Sequence, residues 1–113
     1  MKEIAHIFSA KGFTHRLRKR EGDIAIYERF KTDPSKAHFE VVRIQSHNGR
    51  VIAGKELPAS EFYPSTSQWG THGFTYTQEQ SGGYNEALRD AENRFDAMTR
   101  ATEHQNMPRN TRE

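Results

Sequence analysis

Arginine recurs at alternate positions along one short stretch, as Arg16, Arg18 and Arg20, with Lys19 among them. If the stretch is a β-strand, alternation gathers the three arginines on one face, because successive side chains point to opposite sides. The next run offers Tyr27 and Arg29 at the same period, and the one after it Phe39 and Arg43. Arginine interleaved with aromatic rings on one sheet face suits single-stranded nucleic acid: guanidinium groups hold phosphates while rings stack on unpaired bases. The expected nucleic-acid-binding set is Arg16, Arg18, Lys19, Arg20, Tyr27, Arg29, Phe39 and Arg43. The competing reading is a solvated face with cross-strand charge pairs, such as Arg29 with Glu40.

Other chemistries find less support. The histidines at positions 6, 15, 38, 47, 72 and 104 are dispersed, without H-x-H or H-x3-H spacing, and cysteine is absent. No metal site, cofactor or thiol nucleophile is therefore expected. Glu86, Asp90 and Asp96 each have an arginine neighbour, and Asp90–Arg94 and Asp96–Arg100 have the i, i+4 spacing of ion pairs on a solvated helix face. Gly70-Thr71-His72-Gly73 lacks the preceding strand and the lysine of a phosphate-binding loop. Nothing resembles a nucleophile elbow, so no catalytic residue is expected, and a binding module is favoured over an enzyme. Trp69, in a Gly-flanked loop, fits either a binding anchor or a lid closing one end of the core. With Tyr63 and Tyr76 it forms the expected partner-binding set.

These residues need elements to place them. Arg20-Glu21-Gly22-Asp23 predicts a tight hairpin between Phe13–Lys19 and Ile24–Phe30, with Gly22 supplying a positive φ. Asp33-Pro34-Ser35-Lys36 predicts a turn with proline at its second position. His47-Asn48-Gly49-Arg50 predicts a further hairpin, joining Ala37–Gln45 to Val51–Gly54. Neighbouring strands usually pair, so a four-stranded antiparallel meander follows. Residues 57–72 read as a long connection packed through Phe62, Tyr63 and Trp69, and Gly73–Thr77 as one more short strand. Tyr84, Leu88, Ala91, Phe95 and Met98 then form the stripe of one amphipathic helix, with Asn85 as N-cap and an end near His104. The fold class is α+β: a four- to five-stranded meander packed against one C-terminal helix. Residues 1–106 form one domain and 107–113 a flexible tail.

For the faces, Phe13, His15, Leu17, Ile24, Ile26, Phe30, Val42 and Ile44 are expected under the helix. Phe39, Val41, Arg43 and the arginines are then turned outward.

Composition sets the remaining bounds. The chain has 113 residues, of which 33% are hydrophobic, 11% aromatic and 28% charged. One lean core built around aromatic side chains is the expectation. The first 20 residues carry six Lys/Arg against one Glu, and residues 61–113 carry five against eight acids. That asymmetry predicts an anionic partner at one end, or head-to-tail self-association, and a homodimer is the expected assembly. No apolar run approaches the length of a membrane span and no secretory signal is seen, so a cytoplasmic setting is expected.

The stretch Tyr63-Pro64-Ser65-Thr66-Ser67-Gln68-Trp69-Gly70-Thr71-His72-Gly73-Phe74-Thr75-Tyr76-Thr77 resembles small uncharacterised proteins of bacteriophages and other mobile elements. The resemblance covers about half the chain, from Glu40-Val41-Val42 to Ala87–Phe95, and transfers no activity. The expected order of four strands then a helix is similar in topology to Whirly and PUR-type nucleic-acid-binding units, from which the 57–77 insertion and the acidic helix depart. Two functions follow as expectations. One is a non-enzymatic module for single-stranded nucleic acid. The other is a protein-binding or inhibitory factor of a phage or mobile element that acts on a host protein.

Overall fold

The computed structural model describes residues 2–47, 49–52, 54–57 and 59–106. Five antiparallel strands form the main sheet: β1 (Ile7–Ala10), β2 (Phe13–Glu21), β3 (Ile24–Phe30), β4 (His38–Arg43) and β9 (Gly73–Tyr76). They lie in the order β1-β2-β3-β4-β9, a meander whose last strand arrives after a long excursion. Within that excursion β5 (Gln45–His47) pairs with β8 (Ser60–Phe62), and β6 (Arg50–Ile52) pairs with β7 (Lys55–Leu57). A short helix α1 (Gln78–Ser81), capped by the Thr77 hydroxyl, leads into the long helix α2 (Tyr84–Asn106). The expected tail, 107–113, lies outside the described residues.

The α+β meander with a C-terminal helix is as the sequence predicts. The hairpin between β2 and β3 turns at Gly22, φ +61°, and Asp33 caps the turn Pro34–Lys36 by accepting from the Ser35 amide at 3.0 Å. The fourth strand differs. Asn48 itself lies outside the described residues, but the strands flanking it do not pair with each other. The local reversal falls instead between β6 and β7, at Gly54. Turn propensity is local, whereas β5 takes its partner from more than ten residues downstream, a choice that no turn residue dictates. The place beside β4 goes to β9, which puts Phe74 across from Val41 and Tyr76 across from Phe39.

The helix stripe packs as its spacing requires. Ala87, Ala91, Phe95 and Met98, flanked by Tyr84 and Leu88, lie on Ile24, Ile26, Phe39 and Val41. α2 begins at Tyr84, so Asn85 sits inside the first turn rather than capping it, and the Gly83 carbonyl accepts from the Ala87 amide. The two expected ion pairs on the outer face are absent among the described residues. The Ser81 hydroxyl donates to Asp90 at 2.7 Å, and Arg94 donates to the Tyr76 hydroxyl at 2.9 Å.

The sheet is covered on both faces. Opposite the helix, Ala25, Val42 and Ile44 form a second core with Leu17 of β2, Ile4 of the N-terminal segment, and Tyr63 and Trp69 of the connection after β8. Four successive residues of β3, Ile24 to Tyr27, are at most 1% exposed, so neither face of that strand is wet. This reverses the expected placement of β4. Register sets Phe39 and Val41 with Ile24 and Ile26 under the helix, and turns Val42 and Ile44 to the second core. The β2 assignment changes too: Leu17 lies across from Tyr27 and Arg16 across from Glu28, which moves Phe13, His15 and Leu17 away from the helix.

Candidate functional site

The eight residues expected to form one cationic shelf are divided between the two faces. A register shift between Leu17 and Lys19 makes Arg18 an extra residue in β2, and such a bulge resets the alternation. Before it Arg16 faces the helix side; after it Lys19 pairs across from Ile26 on that side, while Arg20 turns to the other. On the helix side Arg16 and Arg18 share Glu28, at 2.9 and 2.8 Å, and lie over Phe30 and Phe39 respectively. Lys19 caps the Phe95 ring, and Arg43 reaches Asp23 at 3.5 Å and Thr102 at 2.9 Å. Phe39 is fully buried, so it presents no ring to a base.

The remaining three lie on the opposite face. Arg20 grips Glu61 through both terminal nitrogens, at 2.9 and 2.7 Å, and donates from Nε to the Gly22 carbonyl. Hydrogen bonds from Arg20 hold the Glu61 carboxyl below its usual range against the opposing effect of burial. Tyr27 is fully buried and its hydroxyl donates to the Ala5 carbonyl at 2.9 Å. Arg29 pairs with Glu40 at 3.2 Å, the cross-strand charge pair anticipated by the competing reading. Every arginine of the set therefore has a carboxylate partner, and no single surface gathers them.

The expected partner-binding set divides similarly. Trp69 and Tyr63 pack near each other, with ring centres 6.2 Å apart, and Trp69 Nε1 donates to the Thr75 hydroxyl at 2.9 Å. Tyr76 projects to the helix side, where Arg94 contacts it. Gly73 is essential to the position of Trp69: a Cβ built there would lie 2.5 Å from the indole ring.

What the fold does gather is a cleft of about 560 Å³ on the second face. Phe8, Phe13, Tyr63 and Trp69 wall it, and His15, Arg29 and Glu40 form its floor. Strand pairing puts His15 across from Arg29, and Glu40 across from Tyr27, two residues before Arg29 on the same strand, so the floor is built from neighbouring positions of β2, β3 and β4. His15 stacks on Phe8 with ring centres 4.8 Å apart and lies edge-on to Tyr63. Glu40, only 4% exposed, accepts from the Tyr63 hydroxyl at 2.7 Å, meets Arg29 at 3.2 Å and has His15 Nε2 at 3.4 Å. Burial acts to raise the Glu40 carboxyl, but His15, Tyr63 and Arg29 outweigh it and hold the group below its usual range. Burial and the neighbouring Glu40 charge push the Tyr63 phenol far up, so it stays a hydrogen-bond donor.

A buried carboxylate with three partners is fixed in place. The floor is therefore rigid and charge-balanced, beneath walls that offer ring faces. His15 Nδ1 and Arg29 Nε are buried without a hydrogen-bond partner, a feature usually explained by function or bound solvent. Among the described residues no cluster of His, Asp and Glu could hold a metal, and no helix is long and apolar enough to cross a membrane.

Comparison with protein-family models, with curated proteins and with solved structures finds no match to the chain. The chemistry of the cleft has to be read from its own side chains.

Phe8, Phe13, His15 and Glu40 belong to neither expected binding set. One signal was present: Glu40 interrupts the apolar run Phe39-Glu40-Val41-Val42, and a carboxylate in a buried strand needs dedicated partners.

Proposed function

We propose that the chain is a non-enzymatic binding module that takes an unpaired base of single-stranded nucleic acid into the aromatic cleft. The observation that carries this is the set of four rings, Phe8, Phe13, Tyr63 and Trp69, held around a rigid polar floor. Stacking on such rings is worth roughly 1–3 kcal/mol per base and is tolerant of sequence. The cleft lies within the size range of small-ligand pockets. Lys11 and Arg29 line it, the side-chain types that meet a phosphate backbone. Arg16, Arg18 and Arg20 of β2 lie outside the cleft.

Titration of labelled single strands at low and moderate salt, followed by anisotropy and by the fluorescence of the single tryptophan, tests the proposal. Binding should quench or shift Trp69 and should weaken as salt rises. Trp69→Leu should lose most of the affinity, whereas Arg16→Ala, on the opposite face, should lose little. Absence of binding at low salt, or equal losses in the two variants, would refute the cleft as the binding surface.

A protein partner is favoured by a different observation. Phe62 is 44% exposed and lies beside Ile4, Ala5, Phe8 and Tyr63 in a second depression of about 420 Å³. Aromatic side chains presented in this way are common anchors at protein interfaces. Capture of a host protein, or of a second copy of the chain, that survives nuclease and is lost in Phe62→Ala would support that alternative.

A further inference from the structure

A third depression, of about 390 Å³, adjoins the aromatic cleft and shares Phe13 and Arg29 with it. Its lining is cationic. Arg29, Lys31 and Lys36 share it with one carboxylate, Asp33, whose Oδ1 is already engaged by the Ser35 amide and hydroxyl. Arg29 and Lys31 both approach the Phe13 ring, at 4.6 and 5.6 Å from its centre, so one aromatic side chain carries two cations where the depressions meet. Arg29 is partly neutralised by Glu40, but Lys31 has no carboxylate within ion-pair distance among the described residues. Two buried polar atoms border this place without hydrogen-bond partners, Arg29 Nε and His38 Nδ1. Glu79 lies 4.0 Å from His38 Nδ1, beyond hydrogen-bond reach and on a side chain that is 79% exposed. Cationic side chains and unpaired nitrogens beside a ring-walled cleft suit one group above others: a phosphate attached to the ring system that the cleft holds.

We propose that the depression formed by Arg29, Lys31, Lys36 and His38 is a phosphate subsite, so that the module grips a terminal phosphorylated nucleotide rather than an internal stretch of strand. The inference rests on the cleft proposal and adds to it a preference for a phosphate at the end of the ligand. Arg29 spans the two compartments, its ring contact on Phe13 and its carboxylate contact on Glu40 fixing the spacing between base and phosphate. Lys31 and Lys36, both exposed, supply the charge without being needed for folding.

Competition binding separates the possibilities, using oligothymidylates of one length that carry a 5′-phosphate, a 3′-phosphate or hydroxyls at both ends. One phosphorylated strand should bind roughly tenfold or more tightly than the hydroxyl strand, the usual effect of a charge-assisted hydrogen bond. The exposed double variant Lys31→Glu/Lys36→Glu should erase that preference, while Trp69→Leu should weaken all three strands together. A mononucleoside monophosphate that competes better than its nucleoside also supports the subsite and assigns it to free nucleotides as well as strand ends. Equal binding of phosphorylated and hydroxyl strands overturns the subsite and leaves the cleft proposal standing. So does a preference that survives the double variant. Failure of every strand and nucleotide to bind overturns both.

Discussion

Gly73→Ala should be the most informative small change in this chain. The added methyl would lie 2.5, 2.6 and 2.8 Å from three carbons of the Trp69 ring, all closer than non-bonded carbons approach. Gly73 is buried and paired across from Val42, so the strand cannot recede without breaking its ladder. The indole must move instead. Moving it strains the packing against Ala25, Val42 and Ile44 and breaks its hydrogen bond to Thr75. Overpacking costs about 1–3 kcal/mol and the lost hydrogen bond about 1 kcal/mol, which sums to about 2–4 kcal/mol. At about 4 °C per kcal/mol for a chain of this size, the melting temperature should fall by about 8–16 °C. Urea denaturation followed by the fluorescence of Trp69, the chain's one tryptophan, measures both the stability and the ring's surroundings. The background Trp69→Leu, which lacks that reporter and is followed by circular dichroism instead, isolates the cause: with a smaller side chain opposite, Gly73→Ala should cost less than about 1 kcal/mol. A cost that persists undiminished in that background, or an unchanged emission spectrum in the single variant, would refute the contact as its origin.

Further outcomes follow from the polar pairs. The Glu40 and Glu61 carboxyls are held below their ordinary value of 4.5, so the unfolded chain binds more protons than the folded one as pH falls below that value. Their contribution is fully present above the ordinary value of 4.5 and is lost as pH falls through the depressed values, so the urea midpoint should hold above that pH and drop progressively below it. Tyr63→Phe removes a hydroxyl donor to a buried carboxylate, at 2.7 Å, and should cost about 1.5–3 kcal/mol while moving the Glu40 titration upward by NMR. An unmoved titration would show that Tyr63 does not bear on that charge. Arg20→Ala and Glu61→Gln remove the two halves of a bidentate pair joining β2 to β8. A double-mutant cycle should return a coupling of about 1 kcal/mol, and strictly additive losses would contradict the contact.

Much of the architecture was legible because its determinants are local. The apolar stripe from Tyr84 to Met98 has helical period and nothing that competes with it. The glycine of Arg20-Glu21-Gly22-Asp23 sits between two runs that match in length and β character. The choice of face was harder, since β3 and β4 carry apolar residues at both parities: Ile24-Ala25-Ile26-Tyr27 in one and Val41-Val42 in the other. Such continuous runs mark strands buried on both sides, and that signal outweighs the alternation of arginines on β2. Asn48-Gly49 misled because a favoured turn is overruled when a strand's better partner lies far along the chain. The cleft was the least legible part. Its residues come from β1, β2, β3, β4, β9 and the connection after β8, and are separated in sequence by up to sixty-seven positions, from Phe8 to Thr75. Only pairing register brings them together.

The extra residue in β2 has a broader consequence for how this chain tolerates change. Every substitution downstream of Arg18 is read out on the side of the sheet opposite to the one a simple count from Phe13 would assign. Loss of Arg18 would only restore a regular ladder, whereas gain of one further residue after it would exchange the destinations of Lys19 and Arg20. A cation would be driven toward Ala25 and Val42, and Glu61 would lose its clamp. Single-residue insertions after Arg18 should accordingly be far more damaging than any point substitution in this strand, and the phase of the strand, more than the identity of its arginines, is what the fold requires here.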